Sequence, residues 1–196
     1  MSEKEQEKIQ DKDDKYTAMM TEKMLKSRTI MISGEINQEL AGKVTSQLLI
    51  LQELGDDPIK LFINSQGGHV ESGDTIHDMI RFVKPRVIVI GTGWVASAGI
   101  TIFLAAEKED RYSLPNTRYM IHEPAGGVRG QSTDIVIEAE EIIRMRSRIN
   151  KLISDATGQP LEKVNQDTDR NFWLNASEAV DYGIACKVIS KWSDLN

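Results

Sequence analysis

Three apolar segments, each followed by a pattern typical of a helix, constrain the fold of this chain more than any other feature. They read RTIMISG from Arg28, IKLFINS from Ile59 and RVIVIG from Arg86, and each precedes a segment with helical spacing. Short apolar strands that alternate with helices are typical of an α/β core with buried parallel strands. We therefore predict an α/β fold.

The length and composition of the chain indicate one soluble domain. A chain of 196 residues is long enough for one sizeable core, and it has no apolar run of the roughly 20 residues that a membrane helix needs. The net charge of -6 and the lack of a run of basic residues argue against a nucleic-acid partner. The charged start lacks the apolar core of a signal peptide, and Cys186 alone cannot form a disulfide within the chain, so we expect a cytoplasmic protein.

The N-terminal residues differ in composition from the rest of the chain. Residues 1–15 are mostly charged, so they bury too little apolar surface to offset the entropy lost on ordering. We therefore expect residues 1–16 to form a mobile arm. Residues 17–196 are expected to form the single domain, which opens with a helix over residues 17–27.

A long amphipathic pattern occupies the second half of the chain. Isoleucines at helical spacing predict a helix from Ser132 to about Thr157, and Gly158 followed by Pro160 is a typical helix stop. A helix of this length exceeds the average in globular proteins by a wide margin. We expect it to protrude and to pack on a partner.

Three motifs at the ends of predicted strands contain residue types that catalysis uses. In NSQGG, residues 64–68, paired glycines leave backbone N–H groups free to face an oxyanion, although an ordinary turn explains the same residues. Ser97, in WVASAGI, suits either a nucleophile or a plain helix N-cap. His122, in YMIHEP, is either a general base or a structural histidine. Taken singly, the motifs leave these alternatives open.

Together and in this order, the three motifs resemble the Clp protease proteolytic subunit family. The similarity runs over residues 34–189 and includes SGEI, TGQPLEKV and DTDR. The resemblance implies a crotonase-like (ClpP) fold of repeated strand-strand-helix units, with a handle at about residues 123–157. It also implies two stacked heptameric rings that cut unfolded polypeptides delivered by an ATP-driven AAA+ unfoldase. The chain has no P-loop motif, and we expect no nucleotide, cofactor or metal site on it.

The resemblance also assigns roles to individual residues. It implies that Ser97 is the nucleophile, that His122 is the general base, and that the N–H groups of Gly68 and Ala98 form the oxyanion hole. The string DTDRN, however, places Asn171 where the family has an aspartate. In serine proteases this change lowers the rate by about 10⁴-fold because it selects the wrong histidine tautomer. Because an amide oxygen also accepts a hydrogen bond, we predict weak activity if Asn171 turns its oxygen toward His122.

Other departures from the family pattern lie near the oxyanion segment and in the predicted docking region. Gln66 replaces a proline, His69 follows the glycines, and Ala98 stands where methionine is common. In the aromatic pocket where the unfoldase docks in the family, Lys60 replaces a tyrosine. A cation there is costly to bury, so direct docking of the unfoldase is in question.

Four further positions belong to the surfaces that the resemblance assigns. Phe62 and Phe82 match other positions of the docking pocket, and Asp169 and Arg170 match residues that link the rings and couple assembly to the active site. The alternative for the last two is a solvated charge pair. The changed surfaces together suggest a divergent paralogue that works beside a second, more typical subunit in a mixed assembly.

Three functions remain open on the sequence. The first is a serine endopeptidase subunit that is weak or dormant alone, which intact Ser97 and His122 favour. The second is a catalytically idle subunit that completes a mixed ring, which Asn171 favours. The third is an acyl-CoA enzyme on the crotonase fold, although such enzymes use carboxylate acid/base pairs rather than these serine and histidine motifs.

Overall fold

The computed structural model of the protein describes residues 3–124, 126 and 129–195. Within these ranges the helices are α1 (Glu3–Lys26), α2 (Gln38–Glu53), α3 (Val70–Phe82), α4 (Ala98–Phe103), α5 (Ser132–Thr157), α6 (Leu161–Asp167) and α7 (Ala176–Tyr182). The strands are β1 (Thr29–Ile36), β2 (Ile59–Gly68), β3 (Val87–Ala96), β4 (Arg111–Ser113), β5 (Arg118–Ile121), β6 (Phe172–Asn175) and β7 (Lys187–Val188). Two short 3₁₀ turns cover Lys108–Asp110 and Trp192–Leu195.

The strands form one sheet that divides at β3. The order β1-β2-β3-β4-β7 is parallel throughout, as predicted from the apolar segments. Residues 89–91 of β3 pair with β4, whereas residues 94–96 pair in parallel with β5, and β6 runs antiparallel to β5. Because of this division, the carboxyl ends of β3 and β5 lie side by side.

The main core lies between one face of the sheet and the helices α2, α3, α4 and the second half of α5. The fully buried residues Leu48, Ile76 and Phe103 represent α2, α3 and α4 in this cluster. A smaller cluster on the other face contains Ile90 and Tyr112. Both faces of the central strands are therefore apolar, which explains their nearly continuous apolar sequences.

Helix α5 has the bounds predicted from the sequence, and only its second half contributes to the core. Its buried residues are Ile149, Asn150, Ile153 and Thr157, while residues 132–141 are exposed. Gly158 ends the helix with φ 80°, the left-handed conformation expected of a glycine stop. The first half of α5 thus extends away from the core, as expected of a protruding helix.

Four segments differ from their predicted bounds. Strands β1 and β2 continue past their apolar segments to Ile36 and Gly68. Strand β3 continues to Ala96, five residues beyond Gly91, because Gly93 at φ 62° accommodates an irregularity instead of ending the strand. Helix α1 begins at Glu3, so its predicted start at residue 17 is wrong. Glutamate, lysine and glutamine are strong helix formers, and the same composition that indicated disorder also permits a helix. The mobility of residues 1–16 stays a prediction.

None of the helices in the described ranges is both long enough and apolar enough to cross a membrane.

Candidate active site

Ser97 lies at a sharp turn between β3 and α4. Its backbone has φ 55° and ψ -123°, a conformation that residues other than glycine rarely adopt. The Ser97 N–H donates to the carbonyl oxygen of Met120 at 3.0 Å, which ties the turn to β5. The hydroxyl of Ser97 caps no N–H group of α4, so the plain N-cap interpretation is wrong. A strained strand-to-helix turn of this kind presents a serine side chain for nucleophilic attack.

The division of the sheet brings His122 and Asn171 to Ser97. His122 directly follows β5, and its Nε2 lies 2.8 Å from Ser97 Oγ. Asn171 directly precedes β6, the antiparallel partner of β5, and its Oδ1 lies 3.1 Å from His122 Nδ1. The three residues that the sequence singled out therefore form one hydrogen-bonded chain.

The orientation of the Asn171 amide determines which tautomer His122 adopts. Because the amide oxygen only accepts, Nδ1 carries the hydrogen and Nε2 offers its lone pair to the Ser97 hydroxyl. This is the tautomer that a general base requires. Asn171 is exposed and makes no second side-chain hydrogen bond within the described residues. His122 alone therefore holds the amide in this orientation.

The two glycines of NSQGG pack against different neighbours. A Cβ added to Gly67 (φ 97°) would lie 2.6 Å from the Cβ of Ser97 and 3.2 Å from the amide nitrogen of Ala98. A Cβ added to Gly68 (φ 149°) would lie 2.2 Å from the carbonyl oxygen of Ile36 in β1. Only glycine fits at either position. The end of β2 consequently lies directly against the peptide bond that joins Ser97 to Ala98, and the sequence analysis missed the contact made by Gly67.

Two depressions flank the hydrogen-bonded chain. A narrow pocket of about 20 Å³ beside Ser97 is lined mainly by aliphatic side chains, including Val70, Ile149 and Ile153. A wider groove of about 460 Å³ lies on the side of Asn171 and has a largely charged rim. The site is thus apolar next to the serine and polar behind the histidine.

Charged side chains surround the histidine on the groove side. Nη1 of Arg146, in α5, lies 2.8 Å from Oε2 of Glu123, and Nη2 lies 3.4 Å from Oδ1 of Asp169. Arg170 lines the groove and makes no ion pair with another described residue. A single chain leaves the ring-linking role of Asp169 and Arg170 a prediction. Arg146 could not be singled out from the sequence, because no pattern distinguishes it from the other arginines of α5.

Tyr119 supports the site from the core side. It is fully buried in β5 and meets Phe103 of α4 edge-on, with 5.4 Å between the ring centroids. Burial raises the pKa of its hydroxyl well above the usual range, so the side chain stays neutral. Tyr119 therefore links β5, which directly precedes His122, to α4, which directly follows Ser97, and it does so by packing rather than by charge.

The other two histidines lie away from this chain of hydrogen bonds. Nδ1 of His69 lies 2.9 Å from Ser72 Oγ, and Nδ1 of His77 lies 3.1 Å from Asp78 Oδ1. Across the described ranges, no group of three or more histidine, cysteine, aspartate or glutamate side chains is arranged to hold a metal ion. His122 is therefore the histidine to consider for catalysis.

Comparison with known sequences supports a single family. The family described as Clp protease matches residues 11–192. ATP-dependent Clp protease proteolytic subunit 3 of Rhizobium etli is 56% identical over 172 residues, which cover 88% of this chain and 89% of the relative. ATP-dependent Clp protease proteolytic subunit 2 of Pseudomonas aeruginosa is 52% identical over 172 residues, covering 88% and 86%.

Solved structures give the same result for the fold. ClpP1 from Listeria monocytogenes is 63% identical to this chain and has a TM-score of 0.83. The match covers 90% of this chain and 99% of the Listeria chain. An asparagine-to-aspartate mutant of that ClpP1 has the same identity and coverage and a TM-score of 0.85. The α/β fold of strand and helix units with a handle helix, expected from the resemblance, is thereby confirmed.

Proposed function

The chain belongs to the Clp protease family of serine endopeptidases, and we propose from this premise that Ser97, His122 and Asn171 form its catalytic site. The observation that carries the proposal is the continuous hydrogen-bonded chain from Asn171 Oδ1 through the imidazole of His122 to Ser97 Oγ. On this account the protein is a Clp protease subunit with weak activity of its own. Membership of this family also sets aside an acyl-CoA enzyme.

The geometry suits acyl transfer from a peptide bond to Ser97. His122 Nε2 accepts the proton of the Ser97 hydroxyl as the oxygen attacks the carbonyl carbon. The same proton then passes from His122 to the leaving amine. A water molecule, deprotonated by His122, attacks the acyl-enzyme and releases the second product. Asn171 contributes by keeping the hydrogen on Nδ1 throughout.

The oxyanion that forms during attack needs donors at the turn beside Ser97. We assign this role to the N–H groups of Gly68 and Ala98. The proposal is supported by the contact of Gly67 with both Ser97 and Ala98, which holds the glycine pair close to the reacting oxygen. His69 N–H donates instead to the carbonyl oxygen of Ile36 at 2.8 Å, and this bond anchors the far side of the turn.

Two effects of Asn171 account for weak activity. First, an amide lacks the negative charge that stabilises the imidazolium formed during attack. Second, rotation of the amide by half a turn points Nδ2 at His122 and selects the tautomer that cannot accept the serine proton. In serine proteases, replacing the catalytic aspartate by asparagine lowers the rate by about 10⁴-fold, and the wrong tautomer contributes to that fall. Because the amide oxygen of Asn171 faces His122 here, we expect a smaller loss of activity.

The proposed assembly is two stacked heptameric rings that enclose unfolded polypeptide substrates in the cytoplasm. The exposed apolar side chains of Ile135, Val136, Ile137 and Ile143 on the projecting half of α5 support contact with other subunits. Asp169 and Arg170 are proposed to contribute to the contact between rings. A second Clp subunit paralogue is proposed as a partner in mixed rings.

Docking of an AAA+ unfoldase on this chain is proposed to be weaker than on a subunit with a tyrosine in place of Lys60. Phe62 is stacked on Trp192 of the C-terminal turn, with 6.5 Å between centroids, and the Lys60 ammonium lies 5.5 Å from the Trp192 ring. An apolar loop docking there has to compete with Trp192 and to desolvate Lys60. Phe82 is 72% exposed and is available for contact.

A catalytically idle ring subunit is the second candidate, because Asn171 is uncharged and only His122 orients it. Labelling of Ser97 by a fluorophosphonate separates the two functions, since the reaction needs an activated serine but no peptide substrate. We expect slow labelling of the wild type, no labelling of Ser97→Ala, and slower labelling of His122→Ala than of the wild type. A wild type that is labelled no faster than its His122→Ala variant would support the idle subunit.

A further inference from the structure

Arg146 connects the handle helix to both segments that deliver the histidine and the asparagine. Its guanidinium lies 2.8 Å from Glu123 and 3.4 Å from Asp169. Glu123 is the residue after His122, and Asp169 lies two residues before Asn171. A single side chain of α5 thus bridges the two segments whose separation determines the hydrogen bond between His122 and Asn171.

A backbone contact places the same two segments next to each other. The N–H of Glu123 donates to the carbonyl oxygen of Thr168 at 2.7 Å. That bond sets the spacing of the main chains, and the Thr168 hydroxyl, which donates to Asn150 Oδ1 at 3.2 Å, attaches the segment before Asn171 to α5. Arg146 attaches both segments to α5, because its planar guanidinium offers separate N–H donors to the two carboxylates in a fixed geometry.

The ion pairs themselves contribute little to global stability. The Arg146 and Glu123 side chains are each 36% exposed and that of Asp169 is 60% exposed, a range in which solvent screens much of the attraction. A role for Arg146 should therefore show in the alignment of the site rather than in the unfolding of the protein.

Alignment matters more in this chain because the third catalytic residue has no charge. An aspartate attracts the imidazolium, and charge-assisted hydrogen bonds are roughly twice as strong as neutral ones. Asn171 supplies only a neutral bond and has no other side-chain bond among the described residues. The position of Asn171 relative to His122 must then be set by the segments that carry them.

Resting on the function proposed above, we propose that Arg146 is a positioning residue for the His122–Asn171 pair. Catalysis by the natural Asn171 chain depends on Arg146 more strongly than catalysis by an Asn171→Asp variant, in which charge attraction holds the pair together. The dependence on residue 171 separates positioning from a general structural role, which would lower both activities by the same factor.

Arg144 provides a matched control on the same helix. Its guanidinium contacts Glu140 and Glu141, both within α5, and pairs with no other segment of the described residues. Arg144→Met removes the same charge and functional group as Arg146→Met, with a similar effect on the helix. Arg146→Lys is the conservative variant, since it keeps the charge but lacks the planar fork.

The experiment compares the rate of Ser97 labelling by a fluorophosphonate and the turnover of a fluorogenic peptide, with oligomer size recorded in the same buffer. We expect Arg146→Met to slow the wild type by about tenfold or more and the Asn171→Asp protein by less than about threefold. The rates of the Arg146→Lys variant should lie between those of Arg146→Met and those of the protein with Arg146. Arg144→Met should leave the rates unchanged both in the wild type and in the Asn171→Asp protein.

Three results overturn the inference in different ways. If Arg146→Met lowers the rates of the wild type and of the Asn171→Asp protein by the same factor, or lowers neither, Arg146 has no positioning role, and the proposed function is unaffected. A protein whose Ser97 is unlabelled with either residue at position 171 refutes the proposed function, and this inference with it. An Arg144→Met loss equal to that of Arg146→Met also overturns the inference, because the bridge would then be irrelevant.

Discussion

Nδ1 of His122 lies 3.1 Å from the side-chain oxygen of Asn171, and Nε2 of the same ring lies 2.8 Å from Ser97 Oγ, so a neutral amide orients the histidine toward the serine. In the proposed mechanism, His122 keeps the tautomer that a base needs, but the imidazolium formed during attack lacks a compensating negative charge. The proposed site is therefore geometrically complete and electrostatically incomplete. Activity should respond to residue 171 and to the backbone turns around Ser97.

The strained turn at Ser97 predicts an inversion of the usual order of stability between glycine and alanine. In a helix, alanine is more stable than glycine by about 1 kcal/mol. At φ 55°, however, a Cβ is unfavourable, so Ser97→Gly should be more stable than Ser97→Ala by about 1 kcal/mol. Denaturant unfolding of the two inactive variants at equal assembly checks this. A more stable Ser97→Ala would show that the turn stores no strain.

Gly67 and Gly34 allow strain and steric overlap to be measured separately. Both have positive φ, but a Cβ at Gly34 meets nothing within 4 Å, whereas one at Gly67 would lie 2.6 Å from the Cβ of Ser97. We expect Gly34→Ala to lower the free energy of unfolding by about 1 kcal/mol and to retain activity. Gly67→Ala should lower it by about 3 kcal/mol and abolish turnover. Similar losses of stability and activity in the two variants would contradict the close contact at the nucleophile.

The ion pair between Arg86 and Asp110 predicts unequal effects of removing its two members. Arg86 Nε lies 2.8 Å from each carboxylate oxygen, and the Asp110 side chain is 5% exposed while that of Arg86 is 55% exposed. The hydrogen bond to Asp110 raises the pKa of Arg86, so the guanidinium stays charged. Arg86→Ala strands a buried carboxylate and should destabilise the protein by about 3 kcal/mol.

Asp110→Ala leaves a guanidinium that water still reaches. We expect it to destabilise the protein by about 1 kcal/mol only. Denaturant titration of both variants, with the double variant as a control for coupling, tests the order. An Asp110→Ala variant less stable than Arg86→Ala would mean that burial of the carboxylate does not govern this pair.

The sequence predicted the parts of the fold that depend on local patterns. The bounds of α5 followed from isoleucine spacing and the Gly158 stop. Residue-type patterns failed where a glycine continued a strand, as at Gly93, and where charged residues formed a helix in α1. In both places the local signal fits two conformations.

The candidate site was predictable as a set of residues but not as an arrangement. Motif order suggested Ser97 and His122 together, whereas their 2.8 Å contact depends on β5 pairing with the end of β3, a pairing between residues distant in the chain. The orientation of the Asn171 amide and the bridge made by Arg146 arise only from tertiary packing. No single position in the sequence indicates them.

The measurement that tests the account most directly is turnover of a fluorogenic peptide by the wild type and by Asn171→Asp at equal oligomer size. Because the hydrogen-bonded chain is already in place, restoring the carboxylate should raise kcat by about 10² to 10³-fold, with little change in the free energy of unfolding. Ser97→Ala in the Asn171→Asp background should abolish the gain. Equal turnover by the wild type and Asn171→Asp would contradict the claim that the missing charge at residue 171 limits this enzyme.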